Sequence, residues 1–353
     1  MKKGAKNDVK KNKKKWLIGI GAVVAFLLIG GYCVARHYLF SQLLEGDKKV
    51  YIFVDKDDNV DSVLHKVESF ANPTAMKGFR KAVSIKDYSN NIKRGRYELN
   101  KDATAWSFAN TLLRGEQTPL NVPVPSVRTL EQLAATVTKK LEIDSLTLIN
   151  KIHDPAICKK YGFEPQTFAS MFIPESYNMY WTISADEFLD RMKQEYDKFW
   201  NDQRKKKAKE IGFTPIEVAT LASIVTEETR NTEEKDTIAG LYINRLHKNI
   251  KLESDPTVKF ALKDFAARRV LNSMLTVDDP YNTYKYPGLP PGPIKIPLKE
   301  DIDAVLNYVH HDYIFMCAKE TFNGTHNFAK TFSEHKANAN RYQRALNERG
   351  IKK

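Results

Sequence analysis

The chain has 353 residues, of which 42% are hydrophobic and 28% charged. A chain of this length exceeds what one hydrophobic core usually organises, so two or three domains are expected. The net charge of +13 would suit a nucleic-acid partner, but residues 1–15 carry eight Lys and one Asp, which leaves only +6 for the remainder. The basicity therefore belongs substantially to a tail, and no nucleic-acid partner is predicted.

The segment after this tail has the length and composition of a membrane span. Nineteen uncharged residues run from Leu17 to Ala35, opened by Trp16 and closed by Arg36, and such a run can cross the hydrocarbon layer. We therefore predict a basic tail over 1–15 and a transmembrane helix over 16–36. A cleaved signal peptide is the alternative, although its apolar region would be shorter and the cleavage site here is weak.

The lysine-rich tail also predicts an orientation for this span. Because positive charge before a membrane helix is retained on the cytoplasmic side, we expect a cytoplasmic N-terminus. The protein would then be a single-pass protein of the cell (inner) membrane, and everything after Arg36 would be periplasmic or otherwise extracytoplasmic.

Cysteine and histidine usage gives no sign of a metal or cofactor. Cys33 lies in the predicted span, and the sequence leaves open whether Cys158 and Cys317 pair. The eight His residues form no pattern with zinc spacing, and there is no Gly-rich phosphate loop. We predict no cofactor and no metal.

Residues 48–118 are predicted to form a small α+β domain. A strand over 50–54 and a helix starting near Asp61 are followed by a second strand over 96–99 and a helix capped by Thr104. The domain could be a spacer that holds the remainder away from the membrane, or it could bind carbohydrate.

Residues 119–353 are predicted to form a second, larger domain that begins near Pro119. Capping patterns at Thr129 and Ser184 start amphipathic helices, and a further helix is expected over 232–249. The basic run 204–207 is interpreted as a solvated helix face. A strand, a turn and a helix ending near Arg349 complete the chain.

The central element of this domain is a helix predicted from Thr214 to about Arg230. Thr214 and Glu217 form a capping box, and Pro215 suits the first helical position. Stepping 100° per residue places Glu228 on the same stripe as the apolar residues of this helix, at positions 221, 224 and 225.

A glutamate on an apolar stripe is a candidate general acid. Desolvation disfavours its charged form, so Glu228 should have a raised pKa and hold a proton that it can donate. The alternative is that Glu228 turns to solvent in the last helical turn. Its neighbour Glu227 points elsewhere and is interpreted as ordinary surface.

Three other features could contribute to a site. Asn244 leaves a polar group near an apolar helix face, and Asp255 stands just before Pro256, where it could act either in catalysis or as a helix N-cap. The stretch 281–297 is interrupted by Pro and Gly throughout. Its tyrosines could form a flat wall for a sugar polymer, or the stretch could simply pack on the core.

Taken together, these segments resemble the YceG-like endolytic murein transglycosylases, the MltG family, over nearly everything beyond the predicted span. The resemblance is carried, in order, by Lys93-Arg94-Gly95-Arg96-Tyr97, Ile173-Pro174-Glu175-Ser176-Tyr177, Ala222-Ser223-Ile224-Val225 with Glu228-Thr229, Ile243-Asn244-Arg245-Leu246, Ser254-Asp255-Pro256-Thr257-Val258, Tyr281-Asn282-Thr283-Tyr284, Gly288-Leu289-Pro290-Pro291-Gly292, and His326-x-Phe328 with His335.

This resemblance implies a catalytic role for Glu228, the glutamate directly before Thr229. The implied reaction cleaves the bond between N-acetylmuramic acid and N-acetylglucosamine within peptidoglycan strands and leaves 1,6-anhydro ends. Two positions depart from the family pattern: Thr226 stands where a second glutamate is common, and Glu175-Ser176 replaces the usual Asp-Thr. The resemblance also implies peptidoglycan synthases as partners.

The expected fold class is therefore α+β: one N-terminal transmembrane helix, a LysM-like small domain, and a mixed α/β catalytic domain with a central catalytic helix. A non-catalytic wall-binding scaffold and a glycan hydrolase acting on the same substrate are the alternative functions. The candidate substrate-binding residues are Glu175, Asn244, Asp255, Thr257, Tyr281, Asn282 and Tyr284.

Overall fold

The computed structural model describes residues 3–267 and 269–350. The predicted tail and catalytic domain also include residues 1–2, 268 and 351–353, which lie outside the described part. The chain divides into two compact units, Met1–Leu120 with Tyr180–Thr182, and Asn121–Met179 with Ile183–Lys353.

The first unit begins with a long helix, α1 (Lys3–Tyr38). Within it, Lys14–Tyr38 is apolar enough to cross a membrane, with a mean hydropathy of 2.4 over its most apolar window, and none of that window is buried in the protein. The helix therefore has the length and surface of a membrane anchor.

The remainder of the first unit has the order strand, two helices, strand, helix. These elements are β1 (Val50–Val54), α2 (Val60–Glu68), α3 (Pro73–Ile85), β2 (Gly95–Leu99) and α4 (Ala105–Arg114). The strands are antiparallel, with Ile52 opposite Tyr97, and the core between sheet and helices includes Phe79 and Phe108.

The sequence predicts a strand, a helix, a second strand and a second helix for this part of the chain. That prediction is wrong in one respect, because it omits helix α3. Its signal is local: Asn72 accepts hydrogen bonds from the first backbone amides, and Pro73 occupies the first helical position. Ala75, Phe79 and Ala82 then recur at helical spacing and are fully buried.

The second unit is mostly helical around one core. Its elements are β3 (Leu120–Val124), α5 (Leu130–Thr138), α6 (Ser145–His153), α7 (Pro155–Lys160), β4 (Glu175–Met179), α8 (Ala185–Phe199), α9 (Asp202–Glu210), α10 (Pro215–Glu228), α11 (Lys235–His247), α12 (Asp255–Ala261), α13 (Lys299–Leu306), β5 (Phe315–Ala318), β6 (His326–Ala329) and α14 (Phe332–Glu348). Strand β3 pairs with β4, and β5 pairs antiparallel with β6.

Helix α10 is the centre of this unit and starts as predicted. Thr214 and Glu217 form the capping box, Pro215 is the first helical residue, and the helix ends at Glu228, with Thr229 as its C-cap. All eight residues from Val218 to Val225 are buried, because α9, α11, α12 and α13 pack around the helix. The helix is therefore buried on every face, which goes beyond the single apolar stripe expected.

A buried ion pair fixes the end of α10 between its neighbours. Lys235 at the start of α11 contacts Asp301 of α13 at 2.5 Å, and their side chains are only 7% and 0% exposed. Thr226 donates a hydrogen bond to the other oxygen of Asp301. Three helices are thereby joined two residues from Glu228.

We expect Asp301→Asn to destabilise the protein by roughly 3–5 kcal/mol, because it leaves the Lys235 ammonium buried without a counter-charge. Asp303→Asn is the matched control on the same helix. It breaks the half-exposed pair with Arg204 and should cost only about 0–1 kcal/mol. Urea unfolding of both full-length variants measures the difference, and equal losses would contradict a special role for the buried pair.

Candidate functional site

Glu228 is the last residue of α10 and points into a cavity of about 360 Å³. The walls come from α11, α12, the loop before Tyr284, strands β5 and β6, and α14. The lining residues are Glu228, Leu241, Tyr242, Arg245, Leu252, Glu253, Asp255, Tyr284, Phe315, Met316, Cys317, Ala318, His326 and His335. Elements that lie far apart in the sequence therefore meet around one carboxyl group.

Two hydroxyl groups hold the Glu228 carboxyl, and both donate to the same oxygen. Tyr242 of α11 donates to Oε1 at 2.6 Å, and Ser254 donates to Oε1 at 2.5 Å. When the acid is neutral, an oxygen that accepts two hydrogen bonds acts as its carbonyl oxygen, so the proton belongs on Oε2. The arrangement directs the acidic proton away from Tyr242 and Ser254.

The pKa of Glu228 is raised above the ordinary 4.5. Burial is the largest cause, because it disfavours the charged form, and the negative charge of Asp255 adds to it. The hydrogen bonds from Ser254 and Tyr242 and the nearby His326 act in the opposite direction without cancelling the burial effect. This environment agrees with the raised pKa that the apolar stripe of the helix predicts for Glu228.

The adjacent Glu227 has the opposite environment. It is not ordinary surface, as the sequence suggested: its side chain is only 12% exposed and contacts Arg128 and Lys295. Although burial alone would raise its pKa, the hydrogen bonds from Lys295 and Arg128 hold it below the usual value. The pKa values of two neighbouring glutamates are thus shifted in opposite directions, and Glu228 is the one whose environment favours the protonated form.

Of the predicted substrate-binding residues, Asp255 and Tyr284 line the cavity with Glu228. Ser254, not Asp255, occupies the N-cap position of α12, so the expectation of Asp255 as an N-cap is wrong. Asp255 instead accepts a hydrogen bond of 2.7 Å from the Tyr284 hydroxyl. Burial, together with this hydrogen bond, raises the pKa of Tyr284.

Three other predicted residues do not line this cavity. Glu175 is exposed on β4 and pairs with Lys299. The amide of Asn244 donates to the carbonyl oxygens of His311 and Tyr313, which fixes the loop before β5. Thr257 is fully buried and bonds the backbone of Ser254, so it supports the turn that presents the Ser254 hydroxyl.

The stretch 281–297 contains no helix or strand, as predicted. Two of its three predicted substrate-binding side chains instead contact other parts of the protein. Asn282 is fully buried, and its amide donates to the carbonyl oxygens of Leu275 and Val277. Tyr281 packs on Phe260 with ring centroids 4.7 Å apart, outside the Glu228 cavity. Of the three predicted contacts in this stretch, only Tyr284 reaches the cavity.

Sequence reasoning missed several residues that line the cavity. Tyr242 lies within the predicted helix over 232–249, and no signal within the chain points to its hydroxyl as a partner of Glu228. His326 and His335 are named above only as part of the family resemblance, with no role in the site, and both face the cavity. Glu234 binds His326 at 3.1 Å, and burial lowers the pKa of His335.

The cysteines and the potential metal ligands can also be located. Cys158 is buried, Cys317 lines the cavity, and both are free thiols. In residues 3–267 and 269–350, no group of three or more His, Cys, Asp or Glu side chains is arranged to hold a metal ion.

Comparison with known proteins agrees with this architecture. The model of the YceG-like family matches residues 52–341. A Bacillus subtilis protein named endolytic murein transglycosylase is 27% identical over 354 residues, covering 92% of this chain and 93% of that protein. A Streptococcus pneumoniae protein of the same name is 25% identical, but this chain spans only 62% of its length.

A crystal structure of a YceG-like protein from Listeria monocytogenes matches the fold. It superposes with a TM-score of 0.53 at 24% identity and covers 83% of this chain and 99% of its own. Because the family model covers most of the chain, the protein belongs to the YceG-like family.

The buried carboxyl predicts a pH-dependent effect of Glu228→Gln on stability. Because the pKa is higher in the folded state than the ordinary 4.5, Glu228 favours folding at low pH, and this contribution is lost as the pH rises through the folded pKa. The Gln variant carries no charge at any pH. We therefore expect a higher melting temperature than wild type at about pH 8 and a difference that closes near about pH 4.

Differential scanning calorimetry of the two proteins across this range provides the measurement. A difference that is independent of pH would show that Glu228 does not change its charge state within a desolvated site.

Proposed function

We propose that the protein is a membrane-anchored endolytic lytic transglycosylase that cleaves peptidoglycan between N-acetylmuramic acid and N-acetylglucosamine. The observation that carries the proposal is the desolvated Glu228, whose Oε1 is held by two hydroxyl donors at the end of a cavity. The names of the B. subtilis and S. pneumoniae relatives support the substrate and the reaction.

The chemistry needs one carboxyl group that acts twice. Neutral Glu228 protonates the leaving glycosidic oxygen from Oε2, and an oxocarbenium-like state develops at C1 of the muramic residue. The resulting carboxylate then takes the proton of the muramic 6-hydroxyl, which closes onto C1 and forms the 1,6-anhydro ring. Glu228 is neutral again, and no water is consumed.

Tyr242 and Ser254 have a defined part in this sequence. Their hydrogen bonds to Oε1 stabilise the carboxylate that exists between the two proton transfers. They also prevent rotation of the carboxyl, so the same oxygen donates and retrieves the proton. The raised pKa favours the protonated form of the resting carboxyl, which the first step requires.

The second candidate function is a hydrolase that acts on the same substrate. The position of Asp255 is the observation that supports this alternative. Glycoside hydrolysis normally uses two carboxyl groups, and Asp255 lines the cavity with Glu228. In a transglycosylase, the same carboxylate would instead stabilise the positive charge that develops at C1. The product distinguishes the two reactions, since only the transglycosylase leaves an anhydro end.

We expect Glu228→Gln to lower product formation by about 10² to 10⁴-fold, because the amide can neither donate nor retrieve the proton. Mass spectrometry of purified glycan strands after digestion measures the anhydro product. Glu227→Gln is the neighbouring control: it weakens the contacts with Arg128 and Lys295 but should retain the chemistry at temperatures where it is folded. An active Glu228→Gln variant would place the acid elsewhere, and reducing ends in place of anhydro ends would favour the hydrolase.

The membrane arrangement is part of the proposal. The apolar helix Lys14–Tyr38 would anchor the protein in the cell membrane, with the lysine-rich tail in the cytoplasm and everything after the helix outside it. Anchoring would place Glu228 near newly made strands and near the peptidoglycan synthases proposed as partners. In this position the enzyme would terminate strand elongation.

We expect a reporter enzyme that works only outside the cytoplasm to be active when it is fused after Lys353, because the positive charge of the tail retains the N-terminus inside. A protease added to intact spheroplasts should then digest everything after the span. Full protection from that protease, or a mature protein that starts near Arg36, would contradict the anchor.

A further inference from the structure

A second cavity of about 400 Å³ lies in the same unit and is not part of the Glu228 site. One wall is aromatic: Phe260 contacts Phe265 and Tyr281, with ring centroids 6.2 and 4.7 Å apart. Arg128 lies over the Phe265 ring, and Lys263 lines the rim. The cavity therefore combines flat apolar surface with cationic groups.

Helix α12 connects this cavity to the catalytic one. Its first residue, Asp255, lines the catalytic cavity, whereas Pro256, Lys259 and Phe260 line a smaller hollow of about 110 Å³ on its other side. This hollow shares Arg128, Phe260 and Phe265 with the second cavity. Because seven helical residues span only about 10 Å, a substrate bound at Glu228 can extend a branch past α12.

The charges of the two cavities differ. The catalytic cavity has three carboxyl groups in its wall, from Glu228, Glu253 and Asp255, against one guanidinium, Arg245, which pairs with Glu253. On the other side of α12, Lys259 and Lys263 form no ion pair with any residue in the described part of the chain. Glu131 and Glu227 also line these cavities, but Glu131 is bonded to His153, and Glu227 is paired with Arg128 and Lys295. Two lysines outside any ion pair beside an aromatic wall therefore fit a ligand that carries both carboxylate and apolar groups.

We propose that this second cavity, together with the adjoining hollow, binds the stem peptide attached to the muramic acid residue at the cleavage site. The proposal rests on the proposed function, since the glycan must lie at Glu228 for its peptide branch to reach past α12. The peptide supplies the carboxylates that the uncharged sugar hydroxyl and acetamido groups lack. Lys259 and Lys263 bind the carboxylates, and the aromatic wall packs against the aliphatic parts of the peptide.

Direct binding tests this assignment without relying on catalysis. A fluorescent tripeptide of L-Ala, γ-linked D-Glu and a diamino acid is titrated with the full-length protein in detergent, and anisotropy is measured. We expect Lys259→Gln combined with Lys263→Gln to weaken binding by about tenfold or more, because charge-assisted hydrogen bonds are lost. A tripeptide whose D-Glu carboxylate is amidated should bind wild type more weakly than the unmodified tripeptide. This result would show that the D-Glu carboxylate, and not only the terminal one, is bound.

The control variant is Lys205→Gln, an exposed lysine on α9 that lines neither cavity. It should bind the peptide like wild type. No measurable binding, or equal binding by the double variant and wild type, would overturn the proposal.

A cleavage assay then connects the cavity to catalysis. Glycan strands with their peptides and strands stripped of them by an amidase are digested in parallel. The double variant should raise KM about tenfold on peptide-bearing strands and leave stripped strands unaffected. If wild type cleaves neither kind of strand, the proposed function is refuted. The anisotropy measurement would still show whether the second cavity binds the peptide.

Discussion

One half-buried carboxyl group at the end of a buried helix, Glu228, determines the chemistry proposed for this site. In the proposed mechanism, Glu228 acts as an acid because burial makes its charged form costly, and its proton lies on Oε2 because Tyr242 and Ser254 both bind Oε1. Burial alone would give a neutral acid of undefined orientation. Hydrogen bonds alone would lower its pKa, so the site needs both effects together.

This combination requires a rigid support, and the packing of α10 supplies it. The helix is buried on every face from Val218 to Val225, so its last turn cannot shift without disturbing the core. The buried contact between Lys235 and Asp301, with Thr226 bound to Asp301, joins that turn to two neighbouring helices. Thr226, which departs from the pattern expected of the family, is used here in a structural hydrogen bond.

Helix α12 has two functions in this arrangement because its two sides face different cavities. Ser254 at its N-cap position donates a hydrogen bond to Glu228, and Asp255 faces the same cavity, so this end belongs to the candidate catalytic site. Lys259 and Phe260 face the other side, which is cationic and aromatic. A polymer that carries peptide branches has both kinds of chemistry, and a short helix can separate them.

The sequence by itself determined the features that depend on neighbours along the chain. Capping residues start α10 at Pro215, the uncharged run marks the apolar span, and helical spacing places Glu228 among apolar residues. Helix α3 was equally available from Asn72 and Pro73. Only the tertiary structure decided which groups surround Glu228, because its partners come from α11, α12, β6 and α14. It also directed Asn282 and Thr257 into the core and paired Glu227 with Arg128, since the environment of a polar side chain depends on the elements that pack against it.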